Sequence, residues 1–263
     1  MAYETLLIEQ VQGETGVLVL RLNRPEVLNA MSTQMFLDLR SAFQVLRAQD
    51  DLRCVIVTGS GLKAFCAGGD LKERNGMDDA TWRRQHDLIE EALLAVKDFP
   101  LPVIAAVEGH AHGGGLELAL MCDFIIASET ARFSLSEVKR GIMPGGGGIQ
   151  NLVRAIGMRT AKQYLYTGDH FDARQAREWQ MINQVTPAGQ ALDAALAIAR
   201  RILLAAPMSV RYVKLAASRG GEVDFHTGYA MDIAAYNVLV SSADRLEGVA
   251  AFNEKRPPEW TNA

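Results

Sequence analysis

The chain has 263 residues, 49% of them hydrophobic and 22% charged. That mix excludes global disorder and allows about 73% of the unfolded surface to be buried without staples. Three cysteines, Cys54, Cys66 and Cys122, exclude a disulfide scaffold and point to a reducing, cytoplasmic compartment; a net charge of -4 argues against a nucleic-acid binder that relies on overall positive charge.

The first segment, Met1-Ala2-Tyr3-Glu4, carries no basic region followed by an apolar run, so no targeting signal is expected. No stretch reaches about 18 consecutive apolar residues, so no membrane span is expected either. Residues 3–11 and 17–22 read as strands joined by a turn at Gly13-Glu14-Thr15-Gly16. Asn23-Arg24-Pro25 breaks the second strand. Ser32 is the N-cap of a helix in which Met35, Leu39, Phe43 and Leu46 recur at helical spacing. Cys54–Thr58, Val103–Val107 and Phe124–Ala127 are continuous apolar runs, as strands covered on both faces require. A helix over 80–97 and a short helix after Gly113-Gly114-Gly115 alternate with them, which implies an α/β core with right-handed crossovers. Beyond about 145 the pattern is helical, over 147–156, 160–167, 172–179, 189–205, 207–218 and 225–250. One strand signal interrupts it at Met181–Val185. The expected organisation is a core over 1–200 and a C-terminal helical region over 201–263, with a frayed tail at Pro257-Pro258.

The glycines carry the main chemical signal. Cys66-Ala67-Gly68-Gly69-Asp70 and Gly113-Gly114-Gly115-Leu116-Glu117 each follow a buried strand. Backbone N–H groups in such loops can approach a ligand closely, and those opening a helix have no internal partner. Two loops of this kind can converge on one oxyanion; tight turns and close helix packing are the alternative. Gly145-Gly146-Gly147-Gly148 lacks a phosphate-loop or dinucleotide fingerprint and reads as a helix start that lets backbone pack closely. Glu117 interrupts an apolar helix, either as a buried functional acid or as part of a polar stripe. Glu137 looks like a surface acid on its own. Together in one site they could hold water and move a proton, with pKa values spread by repulsion. His110-Ala111-His112 contains zinc-binding residue types, yet no third ligand stands out, so no metal site is expected.

These ordered motifs resemble the crotonase superfamily, the enoyl-CoA hydratase/isomerase family. The resemblance rests on Arg24-Pro25-Glu26-Val27-Leu28-Asn29-Ala30, on Ala64-Phe65-Cys66-Ala67-Gly68-Gly69-Asp70-Leu71, and on Gly109 through Ala119. Glu137 with Gly141-Ile142-Met143-Pro144-Gly145 completes it. It implies a crotonase-like spiral of ββα units, a C-terminal helical trimerisation region and a coenzyme A thioester substrate. Homotrimers or homohexamers are the implied assemblies. It implies catalytic roles for Glu117 and Glu137, with the Ala67 and Gly114 N–H groups as the oxyanion hole. Both acids match the hydratases of the family, so the implied reaction is syn addition of water to a trans-2-enoyl-CoA, with no cofactor beyond the substrate's own coenzyme A. Arg24, Leu28, Lys63, Ala64, Gly68, Asp70, Leu71 and Gly113 are the implied substrate or coenzyme A contacts. Phe252 and Lys255, in Phe252-Asn253-Glu254-Lys255-Arg256, either reach a neighbouring subunit's coenzyme A site or, for Phe252, pack a helix. Departures from the family pattern are the extra glycine, Gly146, and Ile149 in Pro144-Gly145-Gly146-Gly147-Gly148-Ile149, which bear on substrate fit, and Ser136, which bears on how rigidly Glu137 is held. Acyl specificity is expected to come from 71–95, read as a mobile flap, and 140–150. Isomerisation, thioester hydrolysis and carbon–carbon cleavage use the same oxyanion hole. A non-catalytic acyl-CoA-binding subunit is a further alternative. RNA and membrane partners are not expected.

Overall fold

The computed structural model describes residues 3–263; Met1 and Ala2, which open the segment expected to carry no targeting signal, lie outside them. Tyr3-Glu4-Thr5 are not strand, and β1 runs from Leu6 to Gln10. It pairs antiparallel with β2, Val17–Leu22. α1, Thr33–Leu46, starts where Ser32 Oγ accepts the Met35 amide at 3.3 Å, and all four of its expected core residues are buried.

Three ββα units then follow. Each places a long strand in one sheet, a three-residue strand in a second sheet, and a helix after it. The first unit is β3 (Cys54–Gly59), β4 (Ala64–Cys66), and α2 (Leu71–Arg74) with α3 (Asp79–Lys97). The second is β5 (Val103–Val107), β6 (His110–His112) and α4 (Gly114–Met121). The third is β7 (Phe124–Ser128), β8 (Arg132–Ser134) and α5 (Gly148–Ile156). α6 (Met158–Thr167), β9 (Phe171–Asp172), α7 (Ala173–Glu178) and β10 (Gln184–Thr186) complete the two sheets. The large sheet has the order β1-β2-β3-β5-β7-β10 and is parallel beyond β2. The small one has the order β4-β6-β8-β9.

The apolar runs are continuous because the large sheet is covered on both faces. Val55 and Val57 face the cluster built with α1 and α3, which holds Phe36, Phe43 and Phe99. Cys54 and Ile56 face the other way, onto Ala191, Ala195 and Ala199 of α8 (Ala191–Leu203). Alanines four residues apart let that helix lie close on the sheet. Burying each large side chain of this core contributes roughly 1.5–3 kcal/mol. Burial also pushes the Cys54 and Cys66 thiols up to about 12, so neither is a ready nucleophile.

The C-terminal region differs from expectation twice. The helix expected over 225–250 is two, α10 (Phe225–Val240) and α11 (Ala243–Glu254), because Ser242 caps a new start by accepting the Arg245 amide at 3.1 Å. The tail is docked rather than frayed. Trp260 Nε1 donates to the Leu204 carbonyl at 3.0 Å, and the buried Asp244 accepts the Thr261 and Asn262 amides at 2.7 and 3.1 Å. α9 (Pro207–Gly220) pairs with α10, and the two helices bury little beyond Pro207 and Gly228. The strand expected at Met181–Val185 begins later, at Gln184, since Met181 and Ile182 turn inward into the core.

Candidate active site

A cavity of about 870 Å³ opens between the two glycine loops. Its wall includes Ala67, Gly68, Gly113, Gly114, Glu117 and Glu137. The segments 71–95 and 140–150, expected to shape the acyl site, contribute Leu71, Ile89, Met143 and Gly146 to the same wall.

Glu117 is 4% exposed, so it is the buried acid and not part of a polar stripe. Its Oε1 accepts the Gly146 amide at 2.7 Å and the Gly148 amide at 3.0 Å. The four-glycine run, read as a helix start, is therefore also the cradle of this carboxylate. Burial raises the Glu117 pKa above its usual range, and the two amides, with the nearby His86 and Arg74, oppose the rise. Replacing Gly146 with alanine should disturb chemistry more than folding. A Cβ there would lie 2.8 Å from Glu117 Oε2 and 2.4 Å from Leu93 Cδ1. Displacing the carboxylate by about 1 Å is expected to lower turnover roughly 10²-fold. A turnover assay beside a thermal melt checks this.

Glu137 opens a tight turn over Glu137–Arg140 and is half-buried, not a surface acid. Its Oε2 is buried with no hydrogen-bond partner. Burial, followed by its own local hydrogen bond and the negative charge of Glu117, moves its pKa, with a net rise to about 7. Gly113 makes room for it: the backbone there has φ 51°, and a Cβ would stand 2.9 Å from Glu137 Oε1. Ser136 does not loosen the turn, because its carbonyl and Oγ both accept Arg140 Nη1, at 3.1 and 2.9 Å.

The backbone donors require one correction. The Ala67 N–H donates to the Leu28 carbonyl at 3.0 Å, so it is not free to hold an oxyanion. Gly68 donates to Cys66 Sγ, Asp70 to the Met31 carbonyl, and Gly113 to the Ser134 carbonyl. Among the described residues this leaves the Gly69 amide without an acceptor in the first loop, and in the second the amides that open α4, of which Gly114 is the first. Gly69 and Gly114 are neighbours: a Cβ on Gly114 would lie 3.7 Å from the Gly69 nitrogen and 3.9 Å from Glu117 Oε2. A backbone donor has no side-chain signature, and only the pairing of Met31 with Gly69 shows which amide is left over.

Several expected substrate contacts have structural partners within the chain. Arg24 Nη1 donates to Asp70 Oδ2 at 3.0 Å and to the Ala30 carbonyl at 2.7 Å, tying the first loop to the segment before it. Neither residue is on the wall of the cavity between the glycine loops. Ala64 is buried, and its carbonyl accepts Asn29 Nδ2 at 2.9 Å. Asn29, quoted in the motif but given no role, is the fastener that sequence reasoning missed. Leu28 and Lys63 line a separate cavity of about 490 Å³ with Gly109 and Gly189. Phe252 is 83% exposed, so it does not pack within its own chain, and Lys255 caps α11 in the left-handed region. His112 Nε2 lies 3.1 Å from His110 Nδ1, and its Nδ1 lies 3.0 Å from Ser134 Oγ, so the pair is engaged internally. Burial, then His170 and His110, push the His112 pKa down to about 4. Among the described residues no three His, Cys, Asp or Glu side chains gather as a metal site.

The chain is similar to known proteins over its whole length. A family model for enoyl-CoA hydratase/isomerase matches residues 12–263. The mitochondrial methylglutaconyl-CoA hydratase of Mus musculus is 40% identical over 98% of this chain and 83% of its own length. The enoyl-CoA isomerase/hydratase fer4 of Mycosarcoma maydis is 39% identical over 94% of this chain and 93% of its own. The crystal structure of an enoyl-CoA hydratase from Bacillus anthracis superimposes with a TM-score of 0.96, at 39% identity over 99% of this chain and 100% of that one. The two glycine loops, the paired acids and the ββα spiral thus sit in an α/β crotonase fold, and the chain belongs to the enoyl-CoA hydratase/isomerase family.

Proposed function

We propose that the chain is an enoyl-CoA hydratase, adding water syn across the double bond of a trans-2-enoyl-CoA thioester. One observation carries the reading: two carboxylates with raised pKa values flank Gly113-Gly114, beside two backbone amides that have no acceptor. The thioester oxygen accepts from the Gly69 and Gly114 N–H groups, which stabilise the enolate charge as it develops. Removing one such donor typically costs about 3 kcal/mol in the barrier. Glu117, ionised, takes the proton from the water that attacks Cβ. Glu137, protonated, supports that water and delivers a proton to Cα. The substrate's own thioester supplies the electron sink, so the reaction as written uses no further cofactor.

The rest of the reading follows from surface chemistry. Lys63, exposed at the mouth of the smaller cavity, suits a coenzyme A phosphate. The exposed Phe225, Tyr229, Tyr236 and Phe252 on α10 and α11 suit burial against further copies of the chain, as a homotrimer or homohexamer. Phe252 and Lys255 then fall at the subunit boundary. The test is the purified protein with crotonyl-CoA. Loss of the conjugated enoyl-thioester absorbance, with a product heavier by one water, supports hydration. Thioester binding without turnover overturns it, and a shifted double bond in the product makes the chain an isomerase.

A further inference from the structure

The catalytic cavity contains a cation held in one orientation with its terminal nitrogens unused. Arg74 ends α2, and its guanidinium lines the cavity. It lies against the backbone of Gly69, where a Cβ would stand 3.4 Å from the guanidinium carbon. That carbon is also 4.6 Å from the centre of the Trp82 ring. Nε donates to Gln85 Oε1 at 2.7 Å, and Gln85 is itself held by Thr33 at 2.8 Å and Glu73 at 3.2 Å. The plane of the fork is therefore set by three neighbours. Nη1 and Nη2 have no acceptor among the described residues, and no carboxylate there lies within ion-pair distance of them.

The other permanent cations on this wall differ. Lys139 pairs with Asp169 at 3.2 Å, and Arg140 is exposed to solvent and turned back by its Nη1 onto the Ser136 carbonyl and Oγ. Burial draws the Arg74 pKa below its ordinary range, against the fields of Glu73 and Glu117. The surrounding wall is largely apolar, with Phe36, Ile89 and Met143. A purely apolar acyl chain filling this space would strip water from an unpaired guanidinium, which is costly. An oxyanion would replace that water with two parallel charge-assisted hydrogen bonds.

We propose that Arg74 is a specificity-determining residue that receives a carboxylate at the far end of the acyl chain, so that the preferred substrates are enoyl-CoA thioesters of dicarboxylic acids. This rests on the hydratase reading for its catalytic arm only. A coenzyme A phosphate offers the same oxyanion chemistry, and the experiment separates the two, because every substrate compared carries the same coenzyme.

Hydration of (E)-glutaconyl-CoA and crotonyl-CoA is measured for the parent, Arg74→Met and Arg74→Lys. The parent should favour glutaconyl-CoA in kcat/KM, and Arg74→Met should shrink that ratio roughly 10- to 100-fold. Arg74→Lys, which keeps charge but loses the fork, should recover part of it. Equal losses on both substrates place the oxyanion on the coenzyme and overturn the proposal, as does a parent with no preference. A second arm needs no turnover: calorimetric binding of glutaryl-CoA against pentanoyl-CoA. Tighter glutaryl-CoA binding that disappears in Arg74→Met supports the proposal even where hydration is absent. Crotonyl-CoA turnover without glutaryl preference overturns it while leaving the hydratase reading intact. Should Arg74→Met fail to fold, the parent's own glutaryl-to-pentanoyl ratio decides.

Discussion

Glu137→Gln is expected to lower the kcat for hydration roughly 10²- to 10⁴-fold, the range for loss of one positioned acid or base. The same variant should lose one limb of the pH profile. Hydration needs Glu117 ionised and Glu137 protonated, and dehydration needs the reverse, so in both directions the active pair holds a single proton. Activity therefore falls as pH rises through the upper apparent pKa of the pair, near the value of about 7 to which Glu137 is raised. It falls again at low pH as the pair takes a second proton, at a pH above the ordinary carboxylate range because burial raises Glu117 as well. A bell in kcat/KM centred below pH 7 is the signature, and Glu137→Gln removes its alkaline side. A variant with parental rate would take Glu137 out of proton transfer.

Stability carries a second readout of the same group. The folded state holds the Glu137 proton up to about pH 7, whereas the unfolded chain releases it near its ordinary value of 4.5. The folded state thus binds more protons across that window, and the parent loses stability as pH rises from about 4.5 through about 7. Gln at 137 has no proton to lose, so the denaturant midpoint of the variant should gain on the parent between pH 5 and pH 8. A constant difference between the two proteins would mean that Glu137 titrates as it does in the unfolded chain.

The long strands were legible because burial on both faces leaves an unbroken apolar run, as in Cys54–Thr58 and Val103–Val107. The small sheet was not. β4, β6 and β8 have three residues each, too few for a period, and their pairing is set by the glycine loops they adjoin. The break between α10 and α11 has no Gly or Pro to mark it. It rests on Ser242 accepting an amide, which a serine pair signals only weakly. In the site, Glu117 and Glu137 stood out as side chains. The donors did not, since the difference between Ala67 and Gly69 lies in which carbonyl each amide faces. The Glu117 cradle was hidden for the same reason, being built from the backbone of Gly146 and Gly148.

Asn29→Ala is expected to be the largest destabilisation near the site, about 3–5 kcal/mol, with a fall in Tm of about 10 °C. Asn29 is 1% exposed. Its Oδ1 accepts the Arg24 amide at 3.0 Å, and its Nδ2 donates to the Ser60 and Ala64 carbonyls at 3.1 and 2.9 Å. Alanine leaves all three partners short of a hydrogen bond, the Ala64 carbonyl in a buried place and the other two in part-buried ones, each worth about 0.5–1.5 kcal/mol net. It also has to adopt the left-handed backbone that Asn29 holds at φ 56°, at about 1–2 kcal/mol. Asn29→Gly separates the two costs. Glycine takes that φ freely, so it should be less destabilised than alanine by about 1 kcal/mol while still lacking the three hydrogen bonds. Equal melting of the two variants would show that the left-handed backbone carries no cost here. Catalysis should suffer in both, well below the melt. Asn29 fixes the segment whose Leu28 and Met31 carbonyls hold the Ala67 and Asp70 amides, and so decides where the Gly69 N–H points. Turnover that falls with little change in thioester binding would show that Asn29 acts on the oxyanion hole from behind it.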